Sequence, residues 1–374
     1  MHRRRILVAV GSRANYASIH SVRAAIQAHP ALELRTVAYA SALLDKYGAV
    51  ADTMDAEFRV SMVVDGDTPA AMAESVGVGL LKFPEVFARL NPDVVLVVGD
   101  RYEILAPAIA ASLMNIPLAH TMGGEVSGTI DESVRHAVTK LASLHFPATR
   151  EAALRIVRLG EREEHVHVVG CPRMDLAALA TPLTSAIYKD GVGTPFHLAE
   201  PFLMVSQHPV TTEYGDAETQ MLLTLAAVRS VGMPAAIFWP NPDAGTDGTS
   251  RAIRLMRGKD DGWMYCFKNL PPADYLALMR KTVCLVGNSS SAIREGAFLG
   301  TPAVNIGSRQ KGRERAANVV DAPHRYESIL EAMREQISHG RFPCSQLYGD
   351  GHAGVRIADI LATCELSVQK RITY

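Results

Sequence analysis

The sequence predicts an α/β protein made of two doubly wound domains that face a cleft, and three observations carry this. The chain has 374 residues, too long for one ordinary domain and suited to two. Short apolar runs alternate with longer amphipathic segments, as in a parallel sheet covered by helices. That alternation restarts after Ala180–Glu200, a stretch rich in Thr, Pro and Gly without clear periodicity.

The elements follow in order. Ile6–Val10 is apolar throughout and reads as a strand buried on both faces. Arg3-Arg4-Arg5 before it imitates a signal peptide, but the run stops at Gly11-Ser12-Arg13, too short for an h-region or a bilayer span. Leu34–Ala40, Val94–Val98, Pro117–His120 and Val166–Val169 read as further strands. Tyr16–Ala28, Tyr102–Met114, Asp131–Ser143 and Arg150–Leu159 have helical periodicity. In the second half Phe202–Ser206, Ala235–Trp239, Val283–Val286 and Ala303–Ile306 are strand-like. Helices are expected at Ala217–Arg229, Pro272–Arg280, Ser291–Leu299 and Arg325–Ser338. Two Rossmann-like domains result, at 1–180 and 181–357, with ligands expected beyond the carboxyl ends of the strands.

Composition narrows the function. With 39 acidic against 38 basic residues the net charge is −1, so a nucleic-acid partner is not expected. No apolar stretch is long enough for a membrane helix. Cys171, Cys266, Cys284, Cys344 and Cys364 are scattered, odd in number and free of any C-x-x-C pair. That argues against a disulfide framework or structural zinc and for a reducing cytoplasm.

Several fingerprints are missing. Gly11–Tyr16 is not G-x-G-x-x-G, Gly307–Arg313 lacks the Lys-Ser/Thr of a Walker loop, and neither H-E-x-x-H nor G-x-S-x-G occurs. The strongest phosphate signal is Gly287-Asn288-Ser289-Ser290-Ser291, where a strand runs into three hydroxyls and a helix. Backbone N–H groups and the helix dipole there suit a diphosphate, with Glu295 one turn inside to meet a ribose. The same residues also suit plain N-capping.

Carboxylates gather at the ends of the first-half strands. Gly99-Asp100-Arg101 follows one strand and Gly123-Gly124-Glu125 the next, while Asp131-Glu132 open a helix with Arg135 one turn on. Each alone is explained by capping or by the helix dipole. Together Asp100, Glu125, Asp131 and Glu132 put four carboxylates near one rim without metal-ligand spacing, which points to acid/base work. His208 and Asn241 end two strands of the second half, and phosphate contact is the expected role of His208.

These segments closely resemble the hydrolysing UDP-N-acetylglucosamine 2-epimerases. That family includes bacterial sialic-acid-pathway enzymes and the epimerase half of the animal bifunctional epimerase/N-acetylmannosamine kinase. The resemblance rests on Arg13-Ala14-Asn15-Tyr16, Gly99-Asp100-Arg101, Gly123–Asp131, Gln207–Thr212, Gly287–Ser290, and Pro343-Cys344 with Tyr348–Gly351. It implies a GT-B-like fold whose last helix, about 358–374, packs back on the first domain. It implies elimination of UDP to a 2-acetamidoglycal, then hydration with inversion at C2. By the matching motifs, Arg13, Arg101, His208, Asn241, Ser289, Ser290, Glu295 and Arg309 hold UDP. Asp100, Glu125 and Asp131 are the acid/base set, with Glu132, Arg135 and His145 close by. No metal or other cofactor is implied; the partners are a UDP-sugar and further copies of the chain, as a homodimer or homotetramer.

The first loop departs from the family's R-A-D-Y-[SG]-K, since Asn15, Ala17 and Ser18 replace the acid, the small residue and the lysine. Fewer diphosphate contacts or a differently substituted sugar fit that change. Close relatives act on UDP-2,4-diacetamido-2,4,6-trideoxyglucose, leading to legionaminic-type sugars, and the motifs suit either substrate. A GT-B glycosyltransferase and a non-catalytic UDP-sugar sensor are the rival readings.

Overall fold

The computed structural model describes residues 3–374 apart from 46–48, 67, 180–181, 242, 260–261 and 268–269. It divides into two compact units, Met1–Glu125 with Ile130–Asp175 and Tyr348–Tyr374, and Val126–Thr129 with Leu176–Leu347. The junction expected at residues 180 and 181 lies outside the described residues.

The first unit runs β1 (Arg4–Val10), α1 (Arg13–Ala28), β2 (Leu32–Tyr39), β3 (Phe58–Val60), α2 (Pro69–Leu90) and β4 (Val94–Val98). It continues with α3 (Leu105–Leu113), β5 (Leu118–Thr121), α4 (Ile130–Leu141), β6 (Leu144–Phe146) and α5 (Arg150–Arg158). Among the described residues its strands form a six-stranded sheet in the order β3-β2-β1-β4-β5-β6, parallel throughout. Leu7, Val37, Val95 and Val97 pack there with Phe83 and Phe87 of α2, and Ile6, Val8, Val94 and Leu96 are buried on the other face, so the strands are apolar on both faces. The order reverses between β1 and β4, the switch point at which such sheets bind ligands.

After α6 (Arg173–Ala177), the second unit holds β7 (Gly191–Gly193), β8 (Leu203–Ser206), α7 (Ala217–Arg229), β9 (Ala235–Phe238) and α8 (Thr246–Arg257). Then come β10 (Met264–Phe267), α9 (Pro272–Lys281), β11 (Cys284–Gly287), α10 (Ser290–Ile293), α11 (Glu295–Leu299), β12 (Ala303–Ile306), β13 (Val319–Ala322) and α12 (Tyr326–His339). The sheet order is β13-β12-β11-β8-β9-β10-β7, with only β7 antiparallel among the described strands. Here the order reverses between β8 and β11. The architecture is two doubly wound α/β units, as the strand–helix alternation predicts.

A last helix, α13 (Ala353–Thr363), belongs to the first unit. It starts earlier than residue 358 because Asp175 caps it, accepting the N–H groups of Ala353 (2.9 Å) and Gly354 (2.7 Å). It ends at Thr363, and residues 365–374 are not helical.

Other expectations need correction. Val166–Val169 is not a strand, since only Val166 bridges, to His145; β6 is instead Leu144–Phe146, too short to show a period. The Ser291–Leu299 helix is broken at Arg294 (φ −90°, ψ −76°) into α10 and α11. Helix α2 was concealed by Gly77, Gly79 and Pro84 inside it. Gly79 lets α2 lie close on α3, because a Cβ there would stand 2.7 Å from Ala106 Cβ.

Candidate active site

In the first unit, three loops leave the carboxyl ends of β1, β4 and β5. At their centre is Arg135, fully buried on α4. Its guanidinium donates to Asp100 Oδ2 from Nε (3.0 Å) and Nη2, and from Nη1 to the Glu125 carbonyl (2.7 Å). Burial opposes the charge on Arg135, but Asp100, Glu125 and Asp131 more than offset this, and its pKa is raised. One guanidinium therefore orients the β4 and β5 loops together. Glu125 is 2% exposed, whereas the Asp100 side chain keeps 20% of its surface open. The turn before Glu125 needs Gly124 (φ +73°), since a Cβ there would approach the Ala152 carbonyl oxygen to 2.1 Å.

His120 supports the β4 loop from beneath. Its Nε2 lies 2.7 Å from the Gly99 carbonyl oxygen, and Thr139 Oγ1 is 3.4 Å from Nδ1. A carbonyl only accepts, so Nε2 carries the proton and Nδ1 accepts from the hydroxyl. Complete burial lowers the His120 pKa to about 4, and the ring is neutral at pH 7.

Glu132 and His145, expected close by the acid/base set, each face a charged or titratable partner. Glu132 faces His136 at 3.5 Å, four residues on along α4. His145 points Nε2 at Glu161 (3.1 Å), and burial lowers its pKa. Arg101, expected on UDP, is buried with its Nε 2.7 Å from Glu103 Oε1. Arg13 is the half-buried first residue of α1.

The altered first loop has a structural account. Asn15 is buried and its Nδ2 donates to the Val98 carbonyl at 3.1 Å, a bond that an aspartate could not donate. Ser18 is buried as well; its Oγ donates to the Ala14 carbonyl (2.9 Å) and accepts from Arg173 Nε (2.7 Å). Arg173 also donates to the Ala14 carbonyl at 3.1 Å. A cation is thus present beside position 18, supplied from α6. Asn15 and Ser18 are thus hydrogen-bonded within the first unit.

In the second unit, Asn288 holds the switch point together. Its Oδ1 accepts from the His208 N–H (2.7 Å) and its Nδ2 donates to the His208 carbonyl (2.8 Å). The Asn241 N–H donates to His208 Nδ1 at 3.1 Å, so a neutral His208 ring carries its proton on Nε2. Arg309 Nη1 (3.3 Å) and Gln310 Nε2 (2.8 Å) both donate to the Asn288 carbonyl. Ser289 caps α10, accepting from the Ser291 N–H at 3.3 Å, and Ser290 is the first residue of that helix. Glu295 is buried at the start of α11. The break at Arg294 leaves α10 one turn long, so the serine hydroxyls and backbone N–H groups, not a helix dipole, are what this turn offers a phosphate. Gly287 (φ +132°) lies tight against the end of β8, where a Cβ would stand 2.3 Å from the Ser206 carbonyl oxygen.

The structure therefore gathers Asp100, Glu125, Asp131 and Arg135 in one unit, and His208, Asn241, Ser289 and Arg309 around Asn288 in the other. Sequence reasoning assigned no role to Glu103, His120, Thr139, Glu161 or Asn288, although Glu103, His120 and Asn288 stand in strand-end motifs that carry a signal.

Residues 24–362 match the family model described as UDP-N-acetylglucosamine 2-epimerase. The chain is 33% identical to a UDP-N,N'-diacetylbacillosamine 2-epimerase (hydrolyzing) of Legionella pneumophila, over 98% of this chain and 97% of that one. It is 28% identical to a UDP-N-acetylglucosamine 2-epimerase of Neisseria meningitidis, over 98% of both. The Methanocaldococcus jannaschii UDP-GlcNAc 2-epimerase, solved in complex with UDP-GlcNAc and UDP, has the same fold, with a TM-score of 0.77, 17% identity and coverage of 96% of this chain and 99% of that one. With the family model spanning most of the chain and a relative above 30% identity along nearly all of it, the chain belongs to the UDP-N-acetylglucosamine 2-epimerase family.

Proposed function

We propose that the protein is a hydrolysing 2-epimerase acting on a UDP-2-acetamido sugar. The observation that carries this reading is the Asp100–Arg135–Glu125 group, carboxyl-bearing residues fixed by one buried guanidinium at a sheet's switch point. A base takes the C2 proton, the C2–H electron pair becomes the C1=C2 double bond, and the C1–O bond breaks with its electrons leaving on UDP. Water then adds its hydroxyl to C1 and a proton enters C2 from the opposite face. The sum is UDP-sugar plus water giving UDP and the free manno-configured sugar.

Inversion requires proton-handling groups on both faces of C2, which suits a set of carboxylates better than a single base. Asp100, Glu125 and Asp131 fill those roles, and Arg135 orients them. Arg13, Arg101, His208, Asn241, Ser289, Ser290, Glu295 and Arg309 are assigned to UDP, with the His208 Nε2–H as a phosphate donor. Both steps are proton transfers and carbon–oxygen bond changes, so the reading calls for neither a redox cofactor nor a metal.

For the sugar itself, the Legionella relative supports a 2,4-diacetamido-2,4,6-trideoxy substrate beside UDP-N-acetylglucosamine. Assembly as a homodimer or homotetramer belongs to the same reading, as does a cytoplasmic location, which the five free cysteines suit. The test is incubation with each UDP-sugar, with the released sugar identified by NMR and kcat/KM compared. Release of a free manno sugar supports the proposal. Transfer of the sugar to an acceptor, or UDP-sugar binding without turnover, rejects it in favour of a glycosyltransferase or a sensor.

A further inference from the structure

Residues after α13 place Lys370 at the opposite end of α4 from Asp131. Its ammonium donates to the carbonyls of Thr139 (3.2 Å), Lys140 (2.8 Å) and Ala142. Helix ends leave such acceptors without intrahelical partners, and a cation there is favoured by the dipole. The same ammonium lies 2.6 Å from Glu161 Oε2. Buried Glu161 also receives Lys140 Nζ (2.7 Å) and His145 Nε2 (3.1 Å). One carboxylate and one ammonium thus join β6, the last turn of α4, the loop after α5 and the extended tail. The tail is seated at Gly160, where a Cβ would stand 2.8 Å from Tyr374 Cε1 and 3.2 Å from Ile372 Cγ2.

Two routes connect this clamp to the carboxylates. From the last turn of α4, Thr139 meets His120, which bonds the carbonyl of Gly99, the residue before Asp100. From the middle of α4, Arg135 grips Asp100 and the Glu125 backbone directly.

We propose that Lys370 is a positioning residue for the reaction: by capping α4 and pairing with Glu161 it fixes α4, and through it Arg135, Asp100 and Asp131. The proposal rests on the reading that these carboxylates handle the C2 proton. A tail that only added stability would shift melting without altering turnover of the folded enzyme. A positioning residue changes kcat with KM held.

The test compares Lys370→Ala and Lys370→Arg at a temperature where both are folded. In Lys370→Ala, kcat should fall roughly 10- to 100-fold, the cost expected of a small displacement of reacting groups, with KM and UDP affinity unchanged. Lys370→Arg, which keeps the charge and the reach, should restore most of it. Hydrogen exchange should show the α4 amides less protected in the alanine variant than in the arginine variant. An unchanged kcat in Lys370→Ala, or a change confined to KM, overturns the proposal. If the parental enzyme turned over no UDP-sugar, the proposed function would fail instead. The exchange experiment needs no substrate, and unaltered α4 protection would by itself overturn the clamp.

Discussion

Glu125 lies in the loop that follows β5 and Asp131 in the first turn of α4, and only the first is buried. Replacing them by Glu125→Gln and Asp131→Asn keeps shape and removes the base. Because general acid–base catalysis contributes roughly 10²–10⁴-fold, kcat should fall by that order while UDP affinity stays near parental. Near-parental turnover in either variant would make that residue a structural cap. Asn288 should behave in the opposite way. Asn288→Ala leaves the His208 N–H and carbonyl without the clamp, a loss of about 1–3 kcal/mol for buried polar groups. Calorimetry should therefore show weakened UDP binding, and unaltered affinity would remove His208 from the phosphate site. At this scale the residue types were legible in the sequence and their pairings were not. Asp100, Glu125 and Arg135 stand out in motifs, but nothing local shows that Arg101 turns to Glu103 or that His145 turns to Glu161. Those partners are set by how β5, β6 and the following loops stack.

Among the elements, the loop after α5 carries a pH-dependent tie. Burial alone would push the Glu161 carboxyl up, but hydrogen bonds from His145, Lys140 and Lys370 pull it down to about 2. A depressed folded-state pKa gives stability present above the ordinary value of 4.5 and lost as pH falls toward 2. Urea unfolding from pH 5 downward should show the first unit weakening more steeply in the parental protein than in Glu161→Gln. Parallel slopes would show that the carboxylate contributes no such linkage. At the β11 end, Gly287→Ala should be destabilising by about 1–3 kcal/mol, since its φ of +132° and the nearby Ser206 carbonyl both exclude a side chain. Circular dichroism melts would reveal it. Strands apolar on both faces, such as β1 and β4, were legible because burial on two sides leaves no polar position. Helix α2 was not, since Gly77, Gly79 and Pro84 inside it break the local pattern, Gly79 making room for α3. The three-residue strands β3 and β6 are too short to have a period.

At the scale of the molecule, both sheets are doubly wound and each reverses beside its candidate residues, between β1 and β4 and between β8 and β11. The restart of the strand–helix pattern made this legible from the chain alone. The return of α13 was legible only through the resemblance, because its cap on Asp175 joins residues 178 and 179 positions apart. With proton transfer carried by the first unit's carboxylates as proposed, turnover should persist in the presence of a chelator, and loss of activity there would point to a metal. Elimination through C2 is tested by running the reaction in deuterated water, with NMR of the released sugar. A free manno-configured product carrying deuterium at C2 is expected, and a product that keeps its original C2 proton would rule elimination out.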